Sequence, residues 1–159
     1  METIIALKNV DALRELLPPG GYIAEITGFR NVTDKEYLEL DFDIVDGRFS
    51  GFYGGAFGQK MPFSHKIIKA YREGFFESFA QFLNILEQSN PNSNCINAGT
   101  EGLQRTQFVG KRIGLMISLE QYIDHNGDFK TRNCITSIVP VNEIDSSSYY
   151  SPRRSMKVN

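Results

Sequence analysis

Tryptophan is absent, cysteine occurs only twice, and nowhere do about 18 apolar residues run together. Each scarcity closes a class of explanation. Cys95 and Cys134 are too few for a secreted disulfide framework and lack the C-x-x-C spacing of a zinc or redox site, so a reducing cytoplasm is expected. The opening METIIALKNVDALRELLPPGG has no basic stretch followed by a continuous apolar one, so neither export nor a membrane span is expected. Catalytic signatures are missing too: there is no G-x-S-x-G, no H-E-x-x-H and no G-x-x-x-x-G-K-[ST], and His65 and His125 stand alone. No cofactor and no enzymatic activity are expected.

What is present is enough for one domain. The chain has 159 residues, 41% hydrophobic and 23% charged, and can bury a core without disulfides or metals. Its net charge of -2 argues against a strongly basic nucleic-acid binder. The charge is unevenly placed. Residues 1–79 carry nine Lys/Arg against twelve Asp/Glu, giving -3, while residues 80–159 carry eight against seven, giving +1. Arg153, Arg154 and Lys157 lie in a tail with no acid after Asp145.

The apolar period changes in a fixed order along the chain. Asn9 or Asp11 caps a short lead-in helix bearing Leu13, Leu16 and Leu17, which Pro18-Pro19-Gly20-Gly21 ends. Tyr22 to Val32 reads as a first strand, with Tyr22, Ala24 and Ile26 on one face, Ile23, Glu25, Thr27 and Phe29 on the other, and Gly28 as a bulge. Tyr37 to Val45 alternates cleanly: Leu38, Leu40, Phe42 and Ile44 face one way, Tyr37, Glu39, Asp41 and Asp43 the other. Asp46-Gly47 is a hairpin signal, so Arg48 to Tyr53 reads as a third strand and GGAFGQKMPFS as a loop. From Ile67 the period is helical, with Tyr71, Phe75, Phe79, Phe82 and Leu86 forming a stripe that Phe76 and Leu83 widen; Ser89-Asn90-Pro91-Asn92 stops it. Gly110 to Leu119 is a fourth strand with Ile113, Leu115, Ile117 and Leu119 inward, Asn126-Gly127 is a turn, and Phe129 to Val139 is a fifth strand.

This β-β-β-α-β-β order is that of a five-stranded OB-fold barrel, all-β with one helix, over residues 20–144, preceded by the helical lead-in 1–19 and followed by a flexible basic tail 145–159. The helix is expected to plug the barrel end. Such barrels bind single strands by stacking bases on aromatic rings and neutralising phosphates with cations on the same surface. The candidate rings are Phe29, Tyr37, Phe52, Tyr53, Phe57 and Phe129; the candidate cations are Arg30, Arg48, Lys60, Lys66, Arg112, Lys130 and Arg132. For each ring the plainer reading is core packing, and for each cation an ordinary solvated position. Glu39, Asp41 and Asp43 would repel phosphate if their face lined the groove, so the groove is expected on the cations of the fourth and fifth strands and the loops. Those three acids resemble a metal or general-acid site only in spacing, and the solvent face of an antiparallel strand accounts for them. Asp124, Asn126 and Asp128 resemble a calcium loop, but its closing Glu would fall at Ile135.

Three stretches carry a resemblance: PPGGYIAEITGFRNVTDKEYLELDFDIVDGRFSGFY, the aromatic helix ending on Ser89-Asn90, and GKRIGLMISLEQYIDHNGDFKTRNCI. Together, over roughly residues 18–144, they resemble small proteins of the replication or recombination regions of phages and prophages of Gram-positive bacteria, some of them single-strand DNA-binding-like. Lys111, Lys130 and Arg132 match that pattern. The resemblance implies single-stranded DNA as ligand, phage replication or recombination proteins as partners, and the cytoplasm of a bacterial host as location. Known single-strand binding proteins tend to end in an acidic recruiting tail, whereas this tail is basic. Two readings stand side by side: a non-enzymatic single-stranded DNA-binding module, and a protein-interaction or assembly factor of the same fold. Homo-oligomers are compatible with both.

Overall fold

A computed structural model of the chain describes residues 16–54, 65–91 and 103–144. Five strands, β1 (Gly20–Val32), β2 (Tyr37–Ile44), β3 (Lys66–Ala70), β4 (Arg112–Ile123) and β5 (Phe129–Val139), form one antiparallel sheet in the order β3-β2-β1-β4-β5. One helix, α1 (Phe76–Ser89), stands between β3 and β4. The expected lead-in helix, the loop carrying Phe57 and Lys60, Cys95 and the basic tail lie outside the described residues. Among the described residues the expected five strands with one helix are present, in a sheet whose two edges, β3 and β5, are not paired with each other.

The alternation of β2 builds the core as its sequence requires. Leu38, Leu40, Phe42 and Ile44 are all buried, and they join Tyr22, Ala24 and Ile26 of β1, Ile67 of β3 and Ile113, Leu115 and Ile117 of β4 on one face. Over that face lies α1, whose Phe79, Phe82, Leu83 and Leu86 point inward. Burying each of these side chains contributes about 1.5–3 kcal/mol, more than helix propensity supplies, so the stripe decides where the helix sits.

β1 carries a bulge between Ile26 and Gly28. The extra residue reverses the faces beyond it: Phe29, expected beside Ile23 and Glu25 on the outer face, turns inward opposite Leu40, and Arg30 turns outward opposite Glu39. Gly28 occupies the bulge because a Cβ there would collide with the Asp41 carboxylate.

The expected third strand, Arg48 to Tyr53, is a series of turns. Asp43 is the cause: its carboxylate accepts hydrogen bonds from the backbone N–H of Ile44 and of Tyr53, both at 2.8 Å, and so offers the chain a local alternative to strand pairing. Gly51 N–H reaches the Ile44 carbonyl at 2.7 Å, and the Ser50, Phe52 and Gly54 amides each bond three residues back. The curled segment tucks Phe49, Phe52 and Tyr53 against Tyr22 and Phe42, with ring centroids 5.0–6.2 Å apart. The third strand instead comes from the stretch read as the start of the helix. Ile67, Tyr71 and Phe75 happen to continue the spacing of the helical stripe, yet Lys66–Ala70 pairs with β2 in the register Leu40↔Ile67 and α1 begins only at Phe76. Phe75 and Phe76 are consequently exposed.

At its C-terminal end α1 is fastened to β4 and to the chain after β5. The Asn90 side chain donates to the carbonyls of Leu86 and Arg112 and accepts from the Arg112 amide, while Ser89 Oγ donates to the Ile85 carbonyl and accepts from the Val141 amide. The Ser-Asn that ends the helix is therefore a clamp rather than a simple stop.

Candidate nucleic-acid interface

Strand alternation sends one set of side chains away from the core, and on this sheet that outer set is charged. Glu39 of β2 lies opposite Arg30 of β1 and next to Lys66 of β3; Arg30 reaches Glu39 at 2.9 Å, and Lys66 reaches Glu39 at 3.0 Å and Asp41 at 2.5 Å. Hydrogen bonds from Lys66 and then Arg30 hold the Glu39 carboxyl below its ordinary range, and the hydrogen bond to Asp41 is the main cause raising Lys66. Further along the same face Arg112 approaches Glu25 at 3.8 Å, Arg132 meets Glu120 at 2.6 Å and Lys130 lies 4.0 Å from Asp124. Glu39 and Asp41 of β2, with Arg30 and Lys66, thus form a neutralised cross-strand ladder. Every cation in these pairs already has a carboxylate for company, so phosphate would have to compete for it.

The rings are placed differently. Tyr53 is buried, and burial followed by the nearby Asp43 charge pushes its hydroxyl up. Phe52 packs half-buried against the core, and Phe29, also half-buried, stacks on the fully buried Phe108 at 5.4 Å. These three positions correct the expectation of exposed stacking platforms: the bulge and the Asp43 turns put them inside. Tyr37 is half-buried on the outer face opposite Val32. Arg48 sits over the Phe49 ring at 5.1 Å. Phe129 is 76% exposed, yet it projects from the inner face of β5 while Lys130 and Arg132 project from the outer one.

The exception is the β4-β5 ribbon. β1 pairs with β4 only as far as Ile117, so residues 118–133 continue as two strands beyond the sheet. Asp124 closes the tip, its carboxylate accepting from the amides of Asn126 at 2.9 Å and Asp128 at 3.0 Å, which is why these acids and amides belong to a turn. On the ribbon's outer face Tyr122 lies directly opposite Lys130, and the Arg132 guanidinium stands 4.6 Å from the centre of the Tyr122 ring. A ring and two cations share a surface there. Tyr122 lies beyond the apolar alternation, which Gln121 interrupts after Leu119, although β4 itself continues to Ile123.

The inner side of the ribbon is tied to the incoming chain. Asn133 accepts from the Leu17 amide and donates to the Leu17 carbonyl, each at 2.8 Å, and Leu17 is completely buried. Among the described residues no group of three or more His, Cys, Asp or Glu side chains is arranged to hold a metal ion, and no helix is long and apolar enough to cross a membrane. Compared with models of protein families and with curated proteins, the chain matches none.

Proposed function

We propose that the chain is a non-enzymatic single-stranded DNA-binding module of a phage or prophage replication or recombination system, acting in the cytoplasm of the host cell. The observation that carries this reading is the ribbon's outer face, where the Arg132 guanidinium stands 4.6 Å from the Tyr122 ring centre and Lys130 lies opposite Tyr122 across the strands. The strand order, with β1 between β2 and β4 and the helix between β3 and β4, supports an OB-type architecture in which the β4-β5 connection borders the ligand groove. Arg112, at the start of the same strand and on the same face, extends the track toward the sheet. The resemblance of residues 18–144 supports the phage setting.

The carboxylate partners set the expected strength. Phosphate oxygens displace Glu120 and Asp124 from Arg132 and Lys130 only at a cost, so binding is weak, and the few cations involved give it a modest salt dependence. Fluorescence anisotropy of a labelled single-stranded oligonucleotide tests this, with a log-log affinity slope of about -0.7 for each phosphate neutralised. Absence of binding at low salt ends the reading. The second reading, a protein-interaction or assembly factor, is favoured by a different observation: Leu119, Ile123 and Phe129 stand exposed on the other side of the same ribbon.

A further inference from the structure

Among the described residues the inner face of the ribbon carries the most exposed large apolar side chain, Phe129. Leu119, Ile123 and Phe129 are 40%, 62% and 76% exposed, and they share the face with Gln121 and Thr131 through the pairs Leu119↔Asn133, Gln121↔Thr131 and Ile123↔Phe129. A two-stranded ribbon is marginal on its own in water, and an uncovered apolar side makes it more so. We propose that a second copy of this chain covers it, two ribbons packing inner face to inner face about a twofold axis.

Three features select this occupant. The face, Leu119, Gln121, Ile123, Phe129, Thr131 and Asn133, contains no ionisable side chain, so setting it against itself brings no like charges together and offers an acidic or basic partner nothing to recognise. The charged side chains of the ribbon's two strands project from the opposite face, where Arg132 pairs with Glu120 and Lys130 with Asp124 of the tip, so they do not oppose the approach; Asp128 lies in the turn at the tip, outside both strands. The three apolar side chains expose roughly 300 Å² and the flanking Gln121 and Thr131 bring the face to about 500 Å² per copy, which is the lower limit for a specific interface. The consequence is a weak dimer whose population follows concentration. Tyr122, Lys130 and Arg132 remain outward in both copies, so the inference does not rest on the DNA-binding reading.

Sedimentation velocity on the full chain, from low to high micromolar concentration, tests it. The weight-average mass rises toward twice that of the monomer for the wild type and for a His125→Ser control at the exposed ribbon tip. Phe129→Lys and Ile123→Lys each weaken self-association at least tenfold. Both positions are solvent-exposed, so circular dichroism and thermal midpoints close to wild type show that the fold is kept. A chain that stays monomeric throughout the range overturns the proposal, as does a dimer that both lysine variants leave unchanged.

Discussion

Replacing Asn90 isolates the clamp that aims β4, and with it the ribbon, from the end of α1. Asn90→Ala removes the hydrogen bond to the Leu86 carbonyl and both bonds exchanged with the Arg112 backbone, which measure 2.7–2.8 Å. The two bonds to Arg112 are exposed, so water replaces part of what is lost; at about 0.5–1 kcal/mol for each of the three, the variant is destabilised by about 2 kcal/mol. For a chain of this length that lowers the thermal midpoint by roughly 4–8 °C. Asn90→Asp keeps the shape but reverses one partner: the Nδ2 donor becomes a carboxylate oxygen facing the carbonyls of Leu86 and Arg112. Its charge also sits at the negative end of the helix dipole, which adds about 0.3–1 kcal/mol of cost. Chemical denaturation at neutral pH should therefore rank wild type above Asn90→Ala and Asn90→Ala above Asn90→Asp. An aspartate variant as stable as wild type, or more stable than the alanine variant, would refute the assignment of donor and acceptor at this clamp.

Other expectations follow from the charged ladder and the close contacts. Lys130→Ala with Arg132→Ala should lower both oligonucleotide affinity and the salt slope, whereas Glu120→Gln, which releases Arg132 from its carboxylate, should raise affinity at low salt in the same anisotropy assay. Because Lys66 and Arg30 depress the Glu39 carboxyl, its contribution to stability is complete above its unfolded pKa and is lost as pH falls through the lower folded value. Denaturation midpoints of wild type and Glu39→Gln should therefore differ most near neutrality and converge in acid; a constant gap would exclude the ionised pair as the source. Gly114→Ala places a Cβ 2.8 Å from the Val139 carbonyl oxygen and 2.9 Å from Ile144 Cγ1, so it should destabilise by about 1–3 kcal/mol, and a neutral effect in thermal melts would show that β5 yields easily there.

Where the sequence was legible, local pattern and tertiary demand coincided. β2 and the buried stripe Phe79, Phe82, Leu83 and Leu86 follow from period alone, because each buries one face and nothing local competes with it. Arg48 to Tyr53 misled for the opposite reason: its aromatics look like a strand, but Asp43 captures the backbone amides first, and that side-chain bond leaves no trace in hydrophobic spacing. Lys66–Ala70 was hidden by an accidental continuation of the helical stripe through Ile67, Tyr71 and Phe75. The site suffered similarly. Gly28 announces a bulge, yet its effect on the face of Phe29 depends on where the additional residue is inserted, and Tyr122 lies in the four residues by which β4 outruns the apolar alternation that stops at Leu119. That Arg30, Lys66, Arg112, Lys130 and Arg132 would each face a carboxylate could not be read from net charge, since pairing depends on register across strands.

Backbone amide NMR of the labelled protein, titrated with a short unlabelled oligo-dT at low salt, tests the central claim most directly. Shifts concentrated on residues 118–133, with Tyr122, Lys130 and Arg132 among the largest and Glu39 and Asp41 still, are the predicted outcome. Shifts confined to the acidic face of β2 and β3, or a spectrum that the oligonucleotide leaves untouched, would contradict it.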